Sequence, residues 1–258
     1  MKAIVVAAGR GRRLGPETSE IPKCMVSVGG RPILHRQLDA LAAAGATDFV
    51  IVRGYLGDRI TAPGYKLRFI ENPEWAQNNI LASLMFAEDE MTDGFLFSYS
   101  DIVFAAEHAR SIAASDAEVA LVIDRQWSET YVGRIFHPIA EAELASLNPA
   151  AASPTIHRVG KNVVSPEEAV GEFIGLAKFS ASGATHLRLA WQRALALGLD
   201  APYGRAARLQ QAYLSDALNT LSESGVSLAP VFIDGRWREI DTEEDLSRAH
   251  ALVNEWDR

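Results

Sequence analysis

Lys2-Ala3-Ile4-Val5-Val6 is a short, almost unbroken apolar run, and it leads at once into Ala7-Ala8-Gly9-Arg10-Gly11-Arg12-Arg13-Leu14. An apolar run of this length reads as a strand buried on both faces. A buried strand that ends in a glycine- and arginine-rich turn constrains the fold strongly. Glycines let the backbone approach an anion, and successive N–H groups can form a nest for it. Arginines in the same turn add positive charge. The loop therefore points to a nucleotide or another polyphosphate held beyond the end of a central strand.

The next hundred residues repeat the alternation. Pro32 to Ala44 reads as a helix with proline in its first turn, Gly45 as its stop and Ile33, Leu34, Leu38 and Leu41 on one face. Strands are expected over 49–52, 67–70, 95–99 and 119–123, with helices over 78–91 and 107–114. Strand–helix–strand units of this kind predict an α/β fold with a mostly parallel sheet covered on both faces. Ligands of such sheets bind beyond the carboxyl ends of the strands.

The second half is less regular. Residues 147–166 are rich in Pro, Ala and Ser and read as an insertion or flap, with a short strand near 156–159. Strands are expected at 171–179, 227–233 and 237–241, and helices at 184–197, 210–223 and the end of the chain. Thr242 and Asp245 fit a capping box, which places Asp241 just outside the last helix. With no internal repeat and no linker, one domain over 1–258 is expected, its nucleotide-binding half at about 1–125 and its acceptor-binding half at about 126–258.

Composition sets the outer limits. The chain has 258 residues, 48% of them apolar, enough for a sizeable core. Its formal charge of −8 argues against a general nucleic-acid or anionic-membrane surface, while leaving room for the local cationic cluster near the N-terminus. Cys24 stands alone, so no disulfide can form within the chain, and the six histidines lack zinc-site spacing. No apolar run approaches the roughly 18 residues of a membrane span, and no signal-peptide pattern precedes the first strand. A cytoplasmic location is expected.

Two common phosphate motifs fit the loop poorly. A dinucleotide fingerprint would place a third glycine where Leu14 stands, and an acidic residue after the second strand, where Arg53-Gly54 follows instead. A Walker A loop would continue into Gly-Lys-Ser/Thr, which is absent. What the stretch does resemble, with Pro22-Lys23 downstream, is the N-terminal signature of the sugar-phosphate nucleotidylyltransferase superfamily. The resemblance implies a three-layer sheet with a Rossmann-like nucleotide-binding half, as in nucleotide-diphospho-sugar transferases. It also implies a loop, here Ala7, Ala8, Gly9 and Gly11, that wraps a triphosphate. Arg13 and Lys23 inherit the cationic roles. Their chemistry is apt, because attack on an α-phosphorus builds charge on nonbridging and leaving oxygens that fixed cations offset.

Asp101 closes the strand Phe95-Leu96-Phe97-Ser98-Tyr99-Ser100-Asp101. A carboxylate at a strand end beside phosphates suits Mg²⁺, and the superfamily carries a metal aspartate there. Asp241, in a late strand-to-helix turn, matches the second aspartate of the family; alone it would read as a helix N-cap. Together they imply an Mg²⁺ clamp.

Asn78-Asn79 followed by Ser83-Leu84 narrows the resemblance to the phosphocholine and aminoethylphosphonate cytidylyltransferase-like branch. Asn79 and Ser83 are one helical turn apart and can face one pyrimidine. The implied reaction transfers CMP from CTP to a phosphate or phosphonate acceptor with release of pyrophosphate. Acceptor contacts are expected from Lys161 and Glu172, which resemble family positions, and from Glu129, Tyr131, Tyr213 and Asp216, which could bind a cationic head group. His137-Pro138 and Glu141-Ala142-Glu143 lie in a segment without an obvious counterpart in the small phosphocholine enzymes. A sugar-1-phosphate uridylyl- or thymidylyltransferase and a non-catalytic nucleotide sensor remain as alternatives. Neither nucleic acid nor a membrane is expected as a partner.

Overall fold

Unbroken apolar runs settle side by side into one sheet, and the amphipathic segments between them cover its faces. The computed structural model describes residues 1–256. Its strands are β1 (Lys2–Ala7), β2 (Ser27–Val28), β3 (Arg31–Pro32), β4 (Asp48–Arg53), β5 (Leu67–Glu71), β6 (Phe95–Tyr99) and β7 (Ile102–Phe104). They continue with β8 (Val119–Asp124), β9 (Glu143–Leu147), β10 (Ile156–Lys161), β11 (Gly171–Phe179), β12 (Leu228–Ile233) and β13 (Trp237–Glu239). The helices are α1 (Ile33–Ala43), α2 (Ile80–Met85), α3 (Ala106–Ala113), α4 (Trp127–Tyr131), α5 (Ala181–Leu195), α6 (Leu214–Glu223) and α7 (Glu243–Trp256).

The main sheet runs β5-β4-β1-β6-β11-β8-β12. β1 sits between β4 and β6, parallel to both, with Ile4 opposite Val50 and Phe97. Of these seven, β11 alone is antiparallel to its neighbours, and its first residues pair antiparallel with β9, which carries β10, also antiparallel, beyond it. The sheet is therefore mostly parallel, as the alternation predicts. Alternate residues of β1 serve opposite faces. Ile4 and Val6 pack under α2, α5 and α6, with Leu81, Leu187 and Leu218 among their partners. Ala3, Val5 and Ala7 pack under α1 and α3, beside Leu34, Leu38 and Ile112. Three layers result. α7 lies outside them, its Ala249 and Val253 closing a smaller core with Leu14, Val26 and Ile240.

Several elements depart from the sequence expectation. The helix expected over 78–91 is confined to α2, because Asn79 is extended and its Oδ1 caps the Ile80 N–H at 2.8 Å. Beyond Phe86 the chain tightens into a 3₁₀ turn at Glu88–Glu90. β7 and α4 are too short to announce themselves in the sequence, and β9, Glu143–Leu147, mixes polar and apolar residues without a strand pattern. The short strand expected near 156–159 is present as β10, but it hydrogen-bonds to β9 within the sheet instead of standing apart as a flap. The capping box forms as drawn, with Asp245 Oδ2 accepting from Thr242 N at 3.0 Å and Thr242 Oγ1 from Asp245 N at 3.2 Å. Among the described residues no helix is long and apolar enough to cross a membrane.

Candidate active site

The loop after β1 and the ends of β6 and β13 meet at one point. β7 follows β6 after a tight turn and pairs antiparallel with β13, Ile102 opposite Glu239. The Ile240 N–H then donates to the Asp101 carbonyl at 2.8 Å. Two aspartates 140 positions apart in sequence are thus set side by side by backbone pairing.

Lys23 enters between them. Its ammonium donates to Asp101 Oδ2 at 2.8 Å and to Asp241 Oδ1. The stem lies against the glycine loop. Gly11 has φ 67°, and a Cβ there would come within 2.8 Å of Lys23 Cδ. Glycine is needed at this position both for the backbone conformation and for the lysine's passage. Arg13 reaches in from the solvent side, its Nη2 2.6 Å from Asp241 Oδ2. Burial alone would lower the Lys23 pKa, but Asp101 and Asp241 hold it well above the ordinary value. Asp241, despite burial, is held well below the carboxylate range by Lys23 and Arg13.

These groups stand at the centre of a cavity of 390 Å³. At one end it is lined by Ala8, Gly9, Asn78, Asn79 and Ser83. Ser83 Oγ donates to Asn78 Oδ1 at 3.1 Å and accepts from the buried Asn72 Nδ2 at 2.9 Å. Asn79 spends its side-chain oxygen on the α2 cap, and its Nδ2 donates to Gln211 O at 3.2 Å. Ala7, also expected at the nucleotide, points into the core under α1, and the cavity wall is formed here by Val6 and Ala8 on the opposite face.

At the other end stand Lys161, Tyr213, Glu141, Glu143, Glu172 and Glu239. Lys161 Nζ donates to Glu141 at 2.8 Å and lies 5.3 Å from the Tyr213 ring centre. The remaining three predicted acceptor residues are placed elsewhere. Glu129 is on the exposed side of α4, whose inner face is taken by Trp127, Thr130 and Tyr131. Tyr131 packs behind the cavity and donates to Glu172 Oε1 at 2.7 Å, so it positions that carboxyl rather than lining the wall. Asp216 caps α6 by accepting from Tyr213 N at 2.8 Å and lines a neighbouring groove.

The structure adds residues that no motif marked. His137 is fully enclosed, its Nε2 3.2 Å from Glu239 Oε2 and its Nδ1 3.5 Å from Asp241 Oδ2. His137, Glu239 and Asp241 offer ligand atoms within 4.8 Å of one another. Glu239 is raised well above the carboxylate range by burial and by the neighbouring Asp241 and Asp101. A carboxylate two residues before Asp241, at the end of β13, is the one sequence signal for it. Asn72, Tyr99 and Glu143 arrive by tertiary packing alone, Tyr99 Oη lying 3.3 Å from both oxygens of Glu143.

Burial pushes Glu172 up to about 8, against the pull of Tyr131 and Arg134, and Glu143 up to about 7, against Lys161 and Tyr99. A raised carboxyl pKa contributes stability below its ordinary value of 4.5, and that contribution is lost as pH rises through the folded value. Resistance to urea is therefore expected to fall between about pH 5 and pH 8, and Glu172→Gln should flatten the slope. Parallel slopes for variant and wild type would show that Glu172 is ionised throughout.

A parallel α/β sheet whose central strand feeds a glycine loop, with two cations and two carboxylates at its end, is the arrangement of a nucleotidyltransferase. The chain belongs to the MobA-like NTP transferase domain family, whose model matches residues 3–163. It is 29% identical over 255 residues to the CTP:phosphoglutamine cytidylyltransferase of Campylobacter jejuni, covering 95% of this chain and 98% of that enzyme. It is 34% identical over 112 residues to the 2-aminoethylphosphonate cytidylyltransferase of Lancefieldella rimae, 41% of this chain and 45% of that one. The solved CTP:phosphocholine cytidylyltransferase of Streptococcus pneumoniae has the same fold, with a TM-score of 0.76, 19% identity and 98% of each chain covered.

Proposed function

We propose that the protein transfers CMP from CTP to a small acceptor bearing a phosphate or phosphonate, releasing pyrophosphate. The observation that carries the reading is the cluster of Lys23, Arg13, Asp101 and Asp241 at the mouth of the glycine loop. An acceptor oxygen attacks the α-phosphorus, and a new P–O bond forms. The bond to the bridging oxygen breaks, and its electron pair leaves with pyrophosphate. Lys23 and Arg13 offset the charge that develops on the α-phosphate and the leaving group. Ala8, Gly9 and Gly11 receive the triphosphate, and Ser83, held from behind by Asn72, presents its hydroxyl to the base beside the amide of Asn78. Names of relatives favour cytosine. Lys161, Glu172 and Tyr213 face the acceptor, so residues up to about 125 serve the nucleotide and later ones chiefly the acceptor.

The residues present fit Mg²⁺. Asp101 Oδ1 is buried without a hydrogen-bond partner, and hard oxygen donors of this kind suit a small divalent cation. Asp101 and Asp241, with Glu239 beside them, would hold it. When bound, such an ion supplies charge neutralisation for the phosphates and orients them.

A screen of CTP, UTP, dTTP, ATP and GTP against phosphocholine, 2-aminoethylphosphonate and sugar-1-phosphates tests the reading, with and without a chelator. Pyrophosphate release is expected with CTP and a non-sugar acceptor, and none with the chelator. Preference for UTP or dTTP with a sugar-1-phosphate would overturn it.

A further inference from the structure

A second cavity, an open groove of 620 Å³, adjoins the first. Glu141, Lys161 and Tyr213 of the acceptor end line both, as do Asn78 and Asn79, so the two are continuous. The far wall of the groove is polar, with Gln77, Asn162, Arg205 and Gln211.

Charge in the groove is uneven. Both oxygens of Asp216 are engaged by backbone, Oδ1 by Arg205 N at 3.0 Å and Oδ2 by Tyr213 N at 2.8 Å. Glu141 is paired with Lys161. Arg205, by contrast, gives Nη1 to the Asn162 carbonyl and meets no carboxylate among the described residues. The turn that carries it is built rather than loose. Tyr203 and Ala206 exchange backbone hydrogen bonds at 3.1 and 2.9 Å, and Gly204 has φ 56° with no room for a Cβ against Asp216.

The acceptor end of the first cavity has the opposite character. Glu143 and Glu172 are buried there, and Glu239 is nearly so. That end offers an anionic tail no unpaired cation, since Lys161 is taken by Glu141, and past Lys161 and Tyr213 the groove leads to Arg205.

We propose that the groove is a subsite for the distal end of the acceptor, and that Arg205 binds a carboxylate there. The acceptor is then a phosphorylated or phosphono carboxylic acid. The inference rests on the nucleotidyl-transfer reading of the first cavity and deepens it. Arg205 is a specificity residue: a guanidinium matches a carboxylate fork, and the contact is charge-assisted.

A matched pair of ligands tests this. 2-Amino-4-phosphonobutyrate is 3-aminopropylphosphonate with one added carboxylate. Their Kd values are to be measured calorimetrically on the full chain with Mg²⁺ and a non-hydrolysable CTP analogue. The carboxylate is expected to tighten binding about tenfold, and Arg205→Gln to abolish that gain while leaving the Kd of 3-aminopropylphosphonate within about twofold. Equal affinity for the pair, binding of neither, or an unchanged gain in Arg205→Gln overturns the proposal. Pyrophosphate release from CTP with 3-aminopropylphosphonate and the other acceptors is followed in parallel. Its absence with every acceptor would sink the parent reading, whichever way the Kd values fall.

Discussion

Replacing Lys23 with methionine is expected to lower kcat by roughly a thousandfold or more, because a fixed cation aimed at developing phosphate charge is removed from a water-poor site. The KM for CTP should change much less, since the glycine loop and the Asn78–Ser83 wall remain. Methionine keeps most of the stem that runs past Gly11, so the loop retains its packing. Stability should still drop at pH 7. The raised pKa of Lys23 contributes stability at every pH below its ordinary 10.5 and loses it only as pH rises through the folded value. The depressed pKa of Asp241 contributes above its ordinary 3.8 and loses it as pH falls through the folded value. Neutral pH lies inside both windows, so the variant forfeits the first contribution and the Lys23 share of the second, Arg13 remaining on Asp241. Steady-state pyrophosphate release and thermal melts would measure the two effects. Near-normal kcat would remove Lys23 from the chemistry.

Gly175→Ala is expected to destabilise the protein by about 3 kcal/mol or more. Gly175 has φ 84° at the irregularity in β11, and a Cβ there would lie 2.2 Å from the Tyr99 ring. Tyr99 is wedged between Phe97 and Phe173 and cannot swing away without disturbing both. It also ends β6, two residues before Asp101, so any relief of the clash moves the carboxylate. Activity should fall along with the urea midpoint. Gly133→Ala separates the causes. That glycine shares a positive φ of 68°, but the nearest obstacle is an Arg248 nitrogen at 3.6 Å, so only about 1 kcal/mol of backbone cost is expected. Equal losses for the two would show that the Tyr99 contact contributes nothing.

Much of the sheet and half of the site can be read in the chain itself. β1, β4, β6, β8 and β11 announce themselves because strands buried on both faces are built mostly of apolar residues. Lys23, Asp101 and Asp241 stand out because each closes a recognisable local pattern, and the structure brings all three together. Glu239, His137, Asn72 and Glu143 carry no such pattern. They are ordinary polar residues until folding encloses them. The misplacement of Glu129 and Tyr131 has the same root. Nearness in sequence to the end of β8 says nothing about which face of the five-residue α4 turns inward, and Tyr131 turns toward Glu172 behind the wall. Asp216 is a caution of another kind, since a carboxylate three residues into a helix is drawn first to its N-terminal N–H groups.

The pairing of β7 with β13 has a consequence for the order in which the molecule becomes competent. Chains grow from the N-terminus, and folding can begin during synthesis. A ribosome-bound chain ending near residue 200 already holds the glycine loop, Lys23, Asp101 and six of the seven strands of the main sheet. It lacks Asp241, and with it the partner that draws Lys23 and Arg13 inward. Nucleotide-binding parts thus come early and the reacting centre last, so a nascent or prematurely terminated chain can have most of the fold and none of the turnover.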